Sequence, residues 1–104
     1  MKIVPINKDI DADEFYKVLQ SQLNPLFQQR RMEDIRLNII REGNALLIVQ
    51  PELYEGYLFK LIANDNALEV HESEHYVDDV NALTINGILD ELFTKYLGGT
   101  TPQL

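Results

Sequence analysis

The residues of this chain most able to do chemistry lie in one pentapeptide, His71-Glu72-Ser73-Glu74-His75. It fits the pattern H-E-x-x-H, in which two histidines on a helix bind zinc and the glutamate acts as general base. The interpretation depends on the backbone, because side chains four apart share one face of a helix but lie about 13 Å apart along a strand. A zinc-dependent peptidase with His71 and His75 as ligands and Glu72 as base is therefore one functional hypothesis.

The sequence around the pentapeptide favours a different interpretation. The residues before it are typical of a hairpin whose second strand runs through Val70, which leaves His71 at the strand end and only His75 on a helix starting near Ser73. A catalytic zinc also needs a third protein ligand, for which the chain offers only carboxylates such as Asp78, Asp79 or Glu91. We therefore predict no enzymatic activity, no cofactor and no metal site.

Composition narrows the functional classes further. The chain has 104 residues and no cysteine, which excludes disulfides, thiolate nucleophiles and cysteine-ligated zinc. The longest uninterrupted apolar run, Ala45 to Val49, is too short to span a membrane, and the amino terminus lacks the apolar core of a secretory signal. We expect a cytoplasmic protein with no membrane partner.

Charge is unevenly distributed along the chain. The formal net charge is −8, with +1 in residues 1–41 and −9 in residues 42–104. Nucleic acids attract basic surfaces, so direct nucleic-acid binding is not expected. The four arginines between residues 30 and 41 are diluted by acids and are typical of solvated surface. A nucleic-acid mimic stays open as an alternative, and it requires a row of carboxylates at phosphate-like spacing: Glu69, Glu72, Glu74, Asp78 and Asp79.

The first third of the chain predicts a strand and a helix. Residues 2–6 are typical of a short strand, which Pro5 restricts to a sheet edge. Asp11 is the predicted cap of the first helix, with Ile10 as half of a hydrophobic staple. Pro25 either kinks that helix or begins a second short one. The apolar stripe of the helix consists of Phe15, Val18, Leu19 and Leu23.

From Ile35 the apolar period changes from 3.6 to 2, which predicts strands. Glu42-Gly43-Asn44 has turn chemistry, and the next run, 45–50, is apolar on both faces and predicts a central strand. Residues 57–63 and 67–72 predict a second hairpin around Asn64-Asp65-Asn66. Thr84 is the predicted cap of a C-terminal helix that ends at Gly98-Gly99.

Together these elements predict one α+β domain over residues 1–98, followed by a flexible tail, 99–104. The predicted architecture has two layers, with an antiparallel meander of four to five strands and both helices on one face. Tyr57, Phe59 and Leu61 are expected to face the core, which places Leu58, Lys60 and Ile62 on the opposite face together with Ile40.

An apolar face of this kind is typical of a partner surface unless the segment after Pro25 folds over it. We therefore predict a non-enzymatic protein-binding domain of the adaptor, immunity or inhibitor type. Its partner is another protein, with a basic one favoured by the acidic surroundings, or a second copy of the chain. The candidate partner-binding residues are Ile40, Leu58, Lys60, Ile62, Glu72 and Glu74.

Overall fold

The computed structural model describes residues 1–5, 11–64 and 67–97. These residues form, in order, β1 (Lys2–Pro5), α1 (Ala12–Arg31), β2 (Asn38–Glu42), β3 (Ala45–Val49), β4 (Tyr57–Asn64), β5 (Ala67–Glu72), a 3-10 turn (Glu74–Tyr76) and α2 (Val80–Leu97). All strand pairs are antiparallel, in the order β1-β5-β4-β3-β2. The predicted α+β class is confirmed, and β1 is an edge strand as Pro5 predicts. No helix in the described ranges has the length and apolarity needed to cross a membrane.

Helix α1 begins at its predicted cap. The Asp11 carboxylate accepts a hydrogen bond from the Asp13 backbone N–H at 2.9 Å, which satisfies one of the free donors of the first turn. At the other end, Met32 has a left-handed backbone with φ 57° and donates its N–H to the Gln28 carbonyl at 2.8 Å. Ile10, the predicted staple residue, lies outside the described residues. The buried side chains of this helix are Phe15, Leu19, Leu23 and Phe27.

Pro25 lies inside α1 without dividing it. The helix is continuous from Ala12 to Arg31, so the predicted alternative of a separate helix beginning at Pro25 is wrong. Leu23 and Phe27, on either side of the proline, are both fully buried in the same hydrophobic cluster. Burial of this apolar stripe therefore outweighs the one helical hydrogen bond that proline cannot donate.

The start of β2 is determined by a side chain of α1. The Asn24 amide nitrogen donates to the Leu37 carbonyl at 2.8 Å, and its oxygen accepts from the Leu37 N–H at 2.7 Å. These bonds occupy both backbone groups of Leu37, which face away from β3, and they hold this residue against α1. Strand β2 begins at the next residue, Asn38, although the alternating pattern predicts a start at Ile35.

Helix α2 begins four residues before the predicted cap. The Asp79 carboxylate accepts from the N–H groups of Asn81 at 2.8 Å and Ala82 at 3.2 Å, which makes Asp79 the cap. Thr84 is already inside the helix and donates its hydroxyl to the Val80 carbonyl at 2.8 Å, so the Thr84 cap is wrong. The predicted helix from Ser73 is also wrong, because only a 3-10 turn forms there. Residues 98–104, including the predicted tail, lie outside the described residues.

One hydrophobic cluster joins the helices to the strands. Phe15 of α1 and Phe93 of α2 are in contact within it, with ring centroids 5.6 Å apart. Burial of the apolar surface of such a cluster is the main favourable contribution to the free energy of folding. Its fully buried large side chains are Phe15, Phe27, Phe59, Phe93, Leu19, Leu23, Ile48, Leu58, Leu61, Leu68, Ile85 and Ile88.

Candidate functional site

The strand register shows which side chains are neighbours on each side of the sheet, since side chains alternate sides along a strand. One side carries the row Ile40, Leu47, Lys60 and His71, each paired with the next. The adjacent row on that side pairs Glu42, Ala45, Ile62, Glu69 and Ile3. We call this side, which also bears Val49, the Lys60 side. The opposite side, which bears Phe59 and Leu61, is the Phe59 side.

The Lys60 side exposes aliphatic side chains. Ile3 is 54% exposed and Ile40 is 44% exposed, while Leu47, Val49 and Ile62 are half-buried. The register thus brings together three of the candidate residues from the sequence: Ile40, Lys60 and Ile62. Ile40, Leu47 and Ile62 are neighbours on this side, whereas Glu69 lies between Ile62 and Ile3. Exposed aliphatic side chains grouped in this way are typical of interaction sites.

Leu58 is not part of this surface, and its predicted placement there is wrong. The register shifts in β4, because Ile48 pairs with Phe59 but Val49 pairs with Tyr57, which leaves Leu58 as an extra residue. Such a bulge breaks the strict alternation of side chains. Leu58 and Phe59 are consequently both fully buried in the hydrophobic cluster.

The two candidate glutamates are separated. Glu72 pairs with Phe59 and therefore lies on the Phe59 side, where burial raises the pKa of its carboxyl while Lys2 and the terminal amine oppose the rise. Glu74 follows β5 in the 3-10 turn and is exposed. Both glutamates nevertheless line the concavity at the end of β5 that is described below.

A second acid, which the sequence argument did not select for binding, does lie on the Lys60 side. Glu69 accepts a hydrogen bond from the Asn64 amide, and its other oxygen lies 3.2 Å from His71 Nε2. The Asn64 bond, followed by His71, lowers the pKa of the Glu69 carboxyl. A carboxylate is thereby held beside the aliphatic side chains of this side.

The two histidines of the zinc hypothesis do not share a helix. His71 belongs to β5, whereas His75 lies in the 3-10 turn with its ring 6.1 Å from that of Tyr76. The helical spacing that makes an H-E-x-x-H pair converge on one ion is therefore not formed. Among the described residues, no group of three or more His, Asp or Glu side chains is arranged to hold a metal ion.

The carboxylates named as alternative zinc ligands or mimic residues have other neighbours. Asp79 caps α2 and also accepts from the Tyr54 hydroxyl at 2.9 Å, and Glu91 is paired with Arg30. Glu69 and Glu72 lie on opposite sides of the sheet by their register. These residues therefore do not form the single row that nucleic-acid mimicry requires.

A concavity continues the Lys60 side at the end of β5. It has a volume of about 920 Å³, and its walls include the rings of Tyr57 and Tyr76 and the carboxylates of Glu55 and Glu74. Both histidines of the pentapeptide also line it. The pentapeptide is thus part of a mixed aromatic and acidic surface rather than of a helix.

Sequence reasoning missed Ile3 as part of the Lys60 side. Its signal was present, since Val4 is fully buried and Ile3 is exposed on the same short strand, as period-2 alternation predicts. What the sequence did not reveal was the pairing of β1 with β5, which places Ile3 opposite Glu69.

Comparison with known proteins provides no relative. No protein-family model, no curated protein and no solved structure matches this chain. The functional argument therefore rests on the geometry described above.

Proposed function

We propose that this chain is a non-enzymatic protein-binding domain that docks a partner protein on the Lys60 side of its sheet. The observation that carries the proposal is the row of paired strand residues in which exposed or half-buried aliphatic side chains flank Lys60. A two-layer α+β domain ordinarily has polar side chains on the sheet face that meets water.

We infer that α1 and α2 both cover the Phe59 side and leave the Lys60 side uncovered. The buried residues of both helices belong to one cluster with the buried strand residues Leu46, Phe59, Leu61 and Leu68. The alternating positions Lys60 and Ile62 stay outside that cluster. This is the arrangement expected when each helix has a single apolar stripe.

The energetics indicate what kind of partner this surface needs. When a partner covers the exposed area of these aliphatic side chains, about five in number, each contributes on the order of 1 kcal/mol to the free energy of binding. Association costs roughly 4–15 kcal/mol in lost rigid-body freedom and side-chain ordering. Apolar burial alone therefore does not give tight binding, and complementary charge has to contribute.

The charge of the surface favours a basic partner. Glu42 and Glu69 lie on the Lys60 side, and Glu55 and Glu74 border the adjoining concavity. The chain as a whole carries −8, so it attracts basic proteins and repels acidic ones over long range. The proposed partner is a protein with an apolar contact patch surrounded by lysine or arginine.

The proposal is tested by comparing two substitutions of exposed aliphatic residues. Ile62→Glu places a charge on the Lys60 side, whereas Leu83→Glu places one on α2, where Leu83 is 55% exposed. Proteins captured from the native lysate are identified by quantitative mass spectrometry, and each is then titrated by calorimetry against all three chains. We expect one basic protein to bind the wild type and the Leu83→Glu variant and to lose at least tenfold in affinity for Ile62→Glu.

Two outcomes contradict the proposal. One is a partner that binds the Ile62→Glu variant as tightly as it binds the wild type, provided that circular dichroism shows equal folding. The other is an acidic or nucleic-acid partner whose binding is insensitive to salt, because the charge argument requires affinity to fall as ionic strength rises.

A further inference from the structure

The two edges of the sheet differ in their capacity to accept another strand. At one edge, β1 has four residues, ends in Pro5, which has no N–H donor, and has Lys2 paired with Asp90 at 2.8 Å. At the other edge, β2 contains no proline, and four of its five residues are exposed. Its outer backbone groups are the kind that pair with an added strand.

The hairpin between β2 and β3 determines which backbone groups face outward. Glu42 pairs with Ala45 across the two-residue loop of Gly43 and Asn44, where Gly43 has φ 60°. A pair that closes so short a loop must exchange its hydrogen bonds directly, and such pairs alternate along an antiparallel ladder. Asn38, Ile40 and Glu42 therefore bond to β3.

The N–H and C=O groups of Ile39 and Arg41, by the same alternation, point away from β3 to the outer edge of β2, where no other described strand pairs. Helix α1 reaches this edge at Leu37, whose N–H and C=O are both bonded to the Asn24 side chain. Beyond Leu37, four of the five β2 residues are exposed, and a cavity of about 330 Å³ lies between α1 and residues 36–39. An added strand can therefore reach the backbone of Ile39 and Arg41 but not that of Leu37.

We propose that β2 pairs antiparallel with β2 of a second copy of this chain, with Ile40 on the two-fold axis. In this register Ile39 faces Arg41 of the second copy, and each such pair exchanges both outward hydrogen bonds. Asn38 faces Glu42, so an amide meets a carboxylate. Shifting the register by two residues places Arg41 opposite Arg41, which puts like charges in contact.

Charge also favours this edge over the rest of the surface as the contact between copies. Residues 35–44 contain two arginines and one glutamate, and Arg41 is paired with Asp13 of α1, so these four side chains are neutral together, whereas the remaining residues sum to −8. Two copies of an acidic chain repel each other least where each is not acidic. The proposed β2 pairing does not depend on the proposed function of the Lys60 side. It does place the Lys60 sides of the two copies next to each other in one sheet.

Disulfide trapping tests the register, because the chain has no cysteine of its own. In a non-hydrogen-bonded antiparallel pair the Cα atoms are about 4.5 Å apart, which a disulfide can bridge. Ile40→Cys is therefore expected to form a cross-linked dimer under mild oxidation. Asn38→Cys, on the same strand and side, is the control, because its equivalent in the second copy is roughly 13 Å away along the strand.

A backbone substitution tests the association itself. The Arg41 N–H faces the free edge, so Arg41→Pro removes no bond to β3 but blocks the added strand, whereas Arg41→Ala loses the same side chain and keeps the donor. By light scattering after size exclusion, we expect the wild type and Arg41→Ala to have twice the chain mass and Arg41→Pro to have the chain mass, all with cooperative melting.

Three outcomes overturn the proposal. They are a monomeric wild type at every concentration up to the millimolar range, a dimer that persists in Arg41→Pro, and cross-linking of Asn38→Cys as complete as that of Ile40→Cys. A dimer abolished by Ile62→Glu but not by Arg41→Pro assigns self-association to the Lys60 side instead. Should Arg41→Pro fail to fold, the cysteine pair alone decides.

Discussion

The two sides of the sheet are built from similar residue types but differ in what surrounds them. On the Phe59 side, Phe59 and Leu61 are no more than 1% exposed, whereas on the Lys60 side Ile40 is 44% exposed. Isoleucine and leucine occur on both sides. Apolar character therefore does not decide which side is buried. Phe59 and Leu61 belong to the cluster that contains the buried residues of both helices, whereas Lys60 and Ile62 do not.

The comparison also shows where function can be carried. A side chain in the cluster is constrained by close packing, and a change there affects stability. On the Lys60 side Ile40 is 44% exposed, so its apolar character contributes less to folding than that of a cluster residue. The exposed aliphatic side chains of Ile3 and Ile40 are the main reason to propose a partner for this side.

The largest expected effect contrasts two residues of β4. Leu58→Ala removes a fully buried side chain and should lower the free energy of unfolding by about 2–5 kcal/mol. Ile62→Ala, on the Lys60 side, should lower it by about 1 kcal/mol or less because Ile62 is only half-buried. Urea unfolding monitored by circular dichroism measures both. Equal losses would show that the Lys60 side is covered in solution.

An intermediate effect is expected where a polar contact ties α1 to the strand β2. Asn24→Ala leaves the Leu37 N–H and C=O without their partners and should cost about 2–3 kcal/mol of stability. Gln20→Ala is the control on the same helix, since within the described residues the Gln20 amide donates to the Tyr16 hydroxyl and not to the backbone of β2. Thermal melts measure the stability of both variants. A loss of stability in Gln20→Ala as large as that in Asn24→Ala would show that the bonds between Asn24 and Leu37 have no special role.

Much of the fold was predictable because its signals are local. The Asp11 cap, the Gly43 turn and the edge position of β1 each depend on a few adjacent residues, and each is confirmed. The pairing of the two central hairpins follows from turn residues between apolar runs. Local chemistry of this kind needs no knowledge of the rest of the chain.

The errors arise where residues distant in sequence, or a break in periodicity, decide the structure. The start of β2 depends on Asn24, thirteen positions before the Leu37 backbone that it binds. Leu58 was misplaced because a bulge adds one residue to β4, which no period-2 pattern reveals. The Thr84 cap failed because Asp79 offers an equally good cap that lets Ala82 join the buried stripe.

The candidate site was predictable only in part for the same reason. Alternation correctly grouped Lys60 with Ile62 and Ile40, and the register adds Leu47 as the residue that pairs with both Ile40 and Lys60. Glu72 was assigned to the acidic rim because it belongs to the acidic second half of the chain. Charge along the sequence does not show on which side of a strand a residue lies, and the register places Glu72 on the Phe59 side.

The smallest expected effect uses two glutamates of β5 that lie on opposite sides of the sheet. Burial raises the pKa of Glu72, so ionising this carboxyl destabilises the folded chain. Its favourable contribution is present below the ordinary glutamate pKa of 4.5 and is lost as the pH rises through the folded value. Glu72→Gln should therefore be more stable than the wild type at about pH 7 and similar to it at about pH 3.

The pKa of Glu69 is shifted in the opposite direction to that of Glu72. The Asn64 hydrogen bond lowers its pKa, so its contribution is present above the ordinary value of 4.5 and is lost as the pH falls through the folded value. Glu69→Gln should be less stable than the wild type at neutral pH, and the difference should vanish in acid. Melting curves across this pH range measure both variants. Shifts of the same sign would mean that the two glutamates do not lie in different environments, which would contradict the distinction between the two sides of the sheet.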